Sequence, residues 1–88
     1  MTAHQFTESA PQRNTPPRHS LSRLEAAVQA AIRRGLVVGS EVLIGKIPGI
    51  VVGYNISGYG RFVGATYPVV VRTALGVAKC RSDELELV

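Results

Sequence analysis

Few side chains in this chain of 88 residues could do chemistry: the single cysteine Cys80, the histidines His4 and His19, and the carboxylates Asp83, Glu84 and Glu86 near the C-terminal end. Cys80 falls at an inward position of an alternating strand, where a thiol behaves as a small hydrophobe rather than a nucleophile. His4 and His19 have no cysteine or carboxylate at metal-ligand spacing. Paired carboxylates can do acid–base work, but only with a pocket or a histidine beside them, so the acidic group reads as a solvated turn. Gly58-Tyr59-Gly60 precedes no helix start and therefore cannot cradle a phosphate. No catalytic residue, metal ligand or cofactor site is expected, and the chain reads as non-enzymatic.

The elements that must position these residues follow from pattern. Residues 1–19 carry Pro11, Pro16 and Pro17 among Ser, Thr, Gln and Asn, with Phe6 as the one large apolar group, and predict a disordered arm. Residues 20–35 predict an amphipathic helix from about Ser22 to Arg34. Ser22 and Glu25 suit a capping box, Leu21, Leu24, Val28, Ala31 and Ile32 form the apolar stripe, and Gly35 ends it. So short a helix needs cover. The stripe either packs over the seam of its own barrel or pairs with a second chain through Leu21, Leu24, Val28 and Ile32.

Residues 36–88 predict five short strands punctuated by glycine, the pattern of a small β-barrel. Alternation points Val42, Ile44, Val69, Val71, Ala78 and Cys80 inward. It leaves Glu41, Leu43, Pro68, Val70, Arg72, Val77, Lys79 and Arg81 outward. Outward Leu43, Val70 and Val77 are more apolar than solvent requires and suggest a contact surface. The stretch from Asn55 to Ala65 is the longest irregular segment and the expected recognition loop, with Tyr54, Tyr59, Arg61 and Phe62 in or beside it.

The formal net charge of +4 divides unevenly. Residues 36–88 set Lys46, Arg61, Arg72, Lys79 and Arg81 against Glu41, Asp83, Glu84 and Glu86, so the barrel is close to neutral and the excess sits N-terminal to it. A nearly neutral barrel with 6% aromatic residues is a poor match for a polyanion, which places nucleic-acid binding second. No apolar run approaches the roughly 20 residues that span a bilayer. The start of the sequence lacks the basic and apolar regions of a secretion signal. One cysteine allows no internal disulfide, so the expectation is the cytoplasm of a bacterium or a phage-infected cell.

Gly39-Ser-Glu-Val42, Gly49-Ile-Val-Val-Gly53, Tyr67-Pro-Val-Val-Val-Arg72 and Ser82-Asp-Glu-Leu-Glu-Leu87 together resemble the SH3-like barrel class over residues 38–88. The succession GxVxGYN, YPVxV and DEL is similar to that of short phage and prophage accessory proteins. The segments YPVVVR and DELELV look like the photosystem I E subunit and the variable chain of ferredoxin–thioredoxin reductase, which are non-catalytic docking barrels. Type II dihydrofolate reductase is similar in its first two strands. Its pore-lining Val-Gln-Ile-Tyr run falls here on Val77, Ala78, Lys79 and Cys80, so the resemblance carries over self-association and no catalytic residue.

The resulting expectation is an SH3-like barrel behind one helix, acting as an adaptor or inhibitor of a bacterial host or phage protein. Its binding residues would be Tyr54, Tyr59, Arg61, Phe62, Val70, Arg72, Val77, Lys79 and Arg81, with homo-oligomerisation through the helix or a barrel edge.

Overall fold

A computed structural model describes residues 18–88, with side chains from Ser22 onward. The expected arm, as far as residue 17, and the side chain of Leu21 lie outside the described residues. The fold is mainly β, with one helix and five antiparallel strands in one sheet.

Helix α1 spans Arg18–Arg33, so the four residues before Ser22 are already helical. Arg18-His-Ser-Leu21 contains no glycine or proline to stop it, and Ser22 therefore lies inside the helix rather than capping it. The C-terminal end follows expectation. Gly35 takes a left-handed φ of 95°, the Leu36 amide donates to Ala31 O at 3.0 Å, and the Gly35 amide donates to Ile32 O at 2.9 Å. These are the two bonds of a Schellman stop, and its hydrophobic partners, Ala31 and Leu36, are both fully buried. Burying Leu36 alone stabilises the fold by about 2 kcal/mol.

The strands are β1 (Glu41–Ile44), β2 (Ile47–Tyr54), β3 (Val69–Thr73), β4 (Gly76–Cys80) and β5 (Leu85–Leu87), with a 3-10 turn over Ser82–Glu84. Their order across the sheet is β4-β3-β2-β1-β5. Two-residue turns join β1 to β2 and β3 to β4, with Ile44 opposite Ile47 and Thr73 opposite Gly76. Inward residues of every strand meet in one cluster: Val42, Val51, Val69, Val71, Cys80 and Leu85, closed by Ala31 and Leu36. Because the outermost strands β4 and β5 supply the same core, the sheet must curl into a partly open barrel, with the end of α1 as its plug.

The predicted faces of β1, β3 and β4 hold, and β2, for which no faces were predicted, does not alternate strictly. The register slips between Val51 and Gly53, so Val52 is bulged out and the alternation changes phase. Tyr54 consequently lies opposite Val69, on the inner side, where strict alternation would have turned it outward. Pro68 also differs from expectation: it is buried, and its carbonyl accepts from the Asn55 amide at 2.9 Å.

Candidate functional site

The outer face is built from cross-strand pairs. Val70 stands opposite Lys79 and Arg72 opposite Val77, so four of the predicted binding residues occupy adjacent positions on β3 and β4. The row continues through Ile50, opposite Arg72, to Glu41, opposite Ile50. Ile50, Val52 and Val77 are all exposed, and Val70 is half-buried. Sequence reasoning overlooked Ile50 and Val52; their signal was the apolar run Ile50-Val-Val52, whose alternate members cannot all reach the core.

A groove of about 460 Å³ lies at the Glu41–Ile50–Arg72 end of this row, lined by Glu41, Pro48, Ile50, Arg72, Thr73 and Ala74 among others, and Val70, Val77 and Lys79 do not line it. Its apolar floor is flanked by one carboxylate and one guanidinium. Among the described residues the ion pair within 4.0 Å is that of Arg81 with Asp83, at 3.3 Å, which leaves Glu41, Arg72 and Lys79 without an ionic partner. Arg81 is thus already engaged at the 3-10 turn, where its amide also donates to Glu84 Oε1 at 2.6 Å.

The loop between β2 and β3 is organised by a residue that sequence reasoning passed over. Asn55 is the buried polar residue of the described chain, 6% exposed. Its Nδ2 donates to Phe62 O at 2.8 Å and Tyr67 O at 3.1 Å, while its Oδ1 accepts from the Ser57 amide at 3.1 Å. The signal was an asparagine at a strand end followed by serine and glycine, a side chain suited to an Asx turn. Gly64 packs so closely on the Asn55 backbone that a Cβ there would overlap the Asn55 carbonyl.

On this frame Tyr59 and Phe62 are exposed, at 67% and 46%. Phe62 meets Tyr67 edge to face, with ring centroids 5.2 Å apart, and the Arg61 guanidinium lies 5.9 Å above the Phe62 ring. Tyr54 does not join them. Its hydroxyl donates to Leu36 O at 2.7 Å, which ties β2 to the end of α1 and withdraws Tyr54 from any binding surface. The predicted site therefore divides into a loop patch of Tyr59, Arg61 and Phe62 and a face patch of Val70, Arg72, Val77 and Lys79.

The helix stripe meets its own chain. Leu24 is buried at 7% and approaches Gly64 beneath the loop, and Ala31 is in the core. Leu24 is therefore unavailable to a second chain, a correction to its assignment as an oligomer contact. Val28 is half-buried and Ile32 is 37% exposed.

Cys80 is 3% exposed, and burial, followed by the nearby charge of Glu84, pushes its thiol pKa above the ordinary value. Among the described residues no group of three His, Cys, Asp or Glu could hold a metal ion, and no helix is long and apolar enough to cross a membrane. Comparison with known proteins finds no family model, no curated protein and no solved structure that matches the chain.

Proposed function

We propose that this chain is a non-enzymatic protein-binding module, an adaptor or inhibitor that docks through its outer sheet face and the adjoining loop. The observation that carries this reading is the face itself. Exposed Ile50, Val52 and Val77 are contiguous with Val70 across three strands, and Arg72 and Lys79 stand among them with no ionic partner among the described residues. Apolar area supplies affinity, and unneutralised charges supply orientation and partner choice. The loop patch adds aromatic area and one directed cation, Arg61.

The test is capture of partners by the tagged full chain from bacterial lysate, with and without nuclease. The expected result is a protein that survives nuclease and is lost from both the Arg72→Glu/Val77→Asp and the Tyr59→Ala/Arg61→Ala variants, with the native fold retained in each. Captured material that disappears with nuclease, and whose binding falls steeply with salt, would replace this reading with nucleic-acid binding. A captured protein indifferent to both double variants would remove the surface assignment.

A further inference from the structure

We infer that β4 is a docking edge that accepts an extended acidic–apolar peptide strand as a sixth strand of the sheet; this rests on the protein-binding reading and specifies its mode. Among the described residues β4 is an outermost strand, paired only with β3. The two-residue turn makes Thr73 and Gly76 a mutually hydrogen-bonded pair, and alternation repeats that arrangement at Val71–Ala78 and Val69–Cys80. The amides and carbonyls of Val77 and Lys79 therefore point away from β3. Outside the ladder, no backbone hydrogen bond among the described residues uses them. Val77 is 65% exposed and Lys79 is exposed, so neither side chain covers the edge.

The surroundings specify what can pair there. Residues 69–80 contain Arg72 and Lys79 and no Asp or Glu, so the outer side of the β3–β4 hairpin carries two cations without an ion pair among the described residues. A strand placed beside β4 would set its own outward residues next to Lys79, where an acid is favourable and a cation repelled. Its inward residues would turn to the opposite side, toward a mouth of about 220 Å³ between the two hairpin tips. That mouth is lined by Ile44, Ile47, Leu75, Val77 and Ala78 together with Thr73 and Gly76, and holds no charged residue. Alternating acid and aliphatic side chains satisfy both sides at once.

A second copy of this chain is a worse occupant. Pairing β4 with its own copy would bring two Arg72 and two Lys79 side chains onto one face with no acid on either hairpin. Lys79 thus acts as the charge that discourages edge-to-edge self-pairing while selecting an acidic partner. The other edge cannot substitute, because Arg34 holds the Leu85 carbonyl at 2.6 Å.

The experiment is fluorescence anisotropy of the full chain with two end-blocked, labelled hexapeptides, one alternating glutamate and valine and one alternating lysine and valine. The glutamate peptide is expected to bind preferentially and to slow exchange of the Val77 and Lys79 amides. Val77→Pro removes an outward donor without taking a ladder bond, and is expected to weaken binding about ten-fold. Lys79→Glu, an exposed change that leaves the fold intact, should shift the preference toward the lysine peptide by about five-fold. Absence of binding by either peptide, or a preference that ignores Lys79→Glu, would overturn the edge assignment. A dimer dissolved by Val77→Pro would also overturn it, by making a second copy the occupant. Partner capture that persists in Val77→Pro, yet is lost in the outer-face variant, would overturn strand addition while leaving the protein-binding reading in place.

Discussion

Strand β5 ends the sheet on one side with three residues, and Arg34 spans its open edge by donating to the carbonyls of Ser82 and Leu85. Strand β4 ends it on the other side with five residues, and among the described residues no backbone hydrogen bond outside the ladder reaches the outward groups of Val77 and Lys79. The inward residues of both strands are buried in the same core, Leu85 at 1% and Cys80 at 3%. The two edges therefore contribute alike to packing and differ in what they leave unpaired. An open backbone edge is a liability unless short, covered or charged. Here one edge is short and covered, and the other carries only Lys79 as its guard.

The largest effect should come from the packed side of the covered edge. Leu85→Ala removes most of a fully buried side chain and is expected to cost about 3 kcal/mol by chemical denaturation, a large share of the stability of so small a domain. Val77→Ala, on the open edge, should stay within about 0.5 kcal/mol of the parent. Similar losses at the two positions would erase the distinction between the edges.

Next is the clamp. Arg34→Ala removes two charge-assisted hydrogen bonds to backbone carbonyls and is expected to cost about 2 kcal/mol. Arg34→Lys should recover roughly half of that, since a lysine is a point donor and lacks the guanidinium fork. Local opening should appear as faster amide exchange in β5 than in β4. Acceleration spread equally over both strands would mean that Arg34 sustains the whole fold rather than one edge.

Much of this arrangement was legible in the sequence, and what was not has identifiable causes. Gly35 after an apolar stripe announced the helix stop, and alternation alone placed Val42, Val69, Val71 and Cys80 in the core. The helix start was misplaced because Ser22 and Glu25 imitate a capping box inside a helix that already includes Arg18–Leu21. Tyr54 was grouped with the loop aromatics as a binding residue, but a single bulged residue, Val52, changes the phase of β2 and sets Tyr54 opposite Val69, and Gly53 was the only sequence trace of that bulge. Arg34 read as the last residue of the helix; its partners lie 48 and 51 residues further along the chain, and no local pattern reveals such contacts. Of the candidate site, alternation turned Val70, Arg72, Val77 and Lys79 outward but could not pair them across strands, and the post that holds the loop, Asn55, was hidden among ordinary turn residues.

The smallest effect tests whether β4, although open along its backbone edge, is as tightly closed on its inner face as β5. Burial raises the Cys80 thiol pKa first and the charge of Glu84 raises it further, so folding favours the protonated thiol. A pKa raised in the folded state contributes stability that is complete below the ordinary thiol value and is lost as pH rises through the raised one. The parent should therefore lose more stability than Cys80→Ala over the alkaline range, so that the roughly 1 kcal/mol deficit expected of the variant near neutrality narrows as pH rises. Glu84→Gln should make that loss smaller and end it at lower pH, because it removes the second cause and leaves the first, while the onset stays at the ordinary thiol value. Equal alkaline slopes in parent and Cys80→Ala would show that the thiol reaches water as easily folded as unfolded. That outcome would require β4 to peel from the core, and its edge could not then serve as a fixed template for another strand.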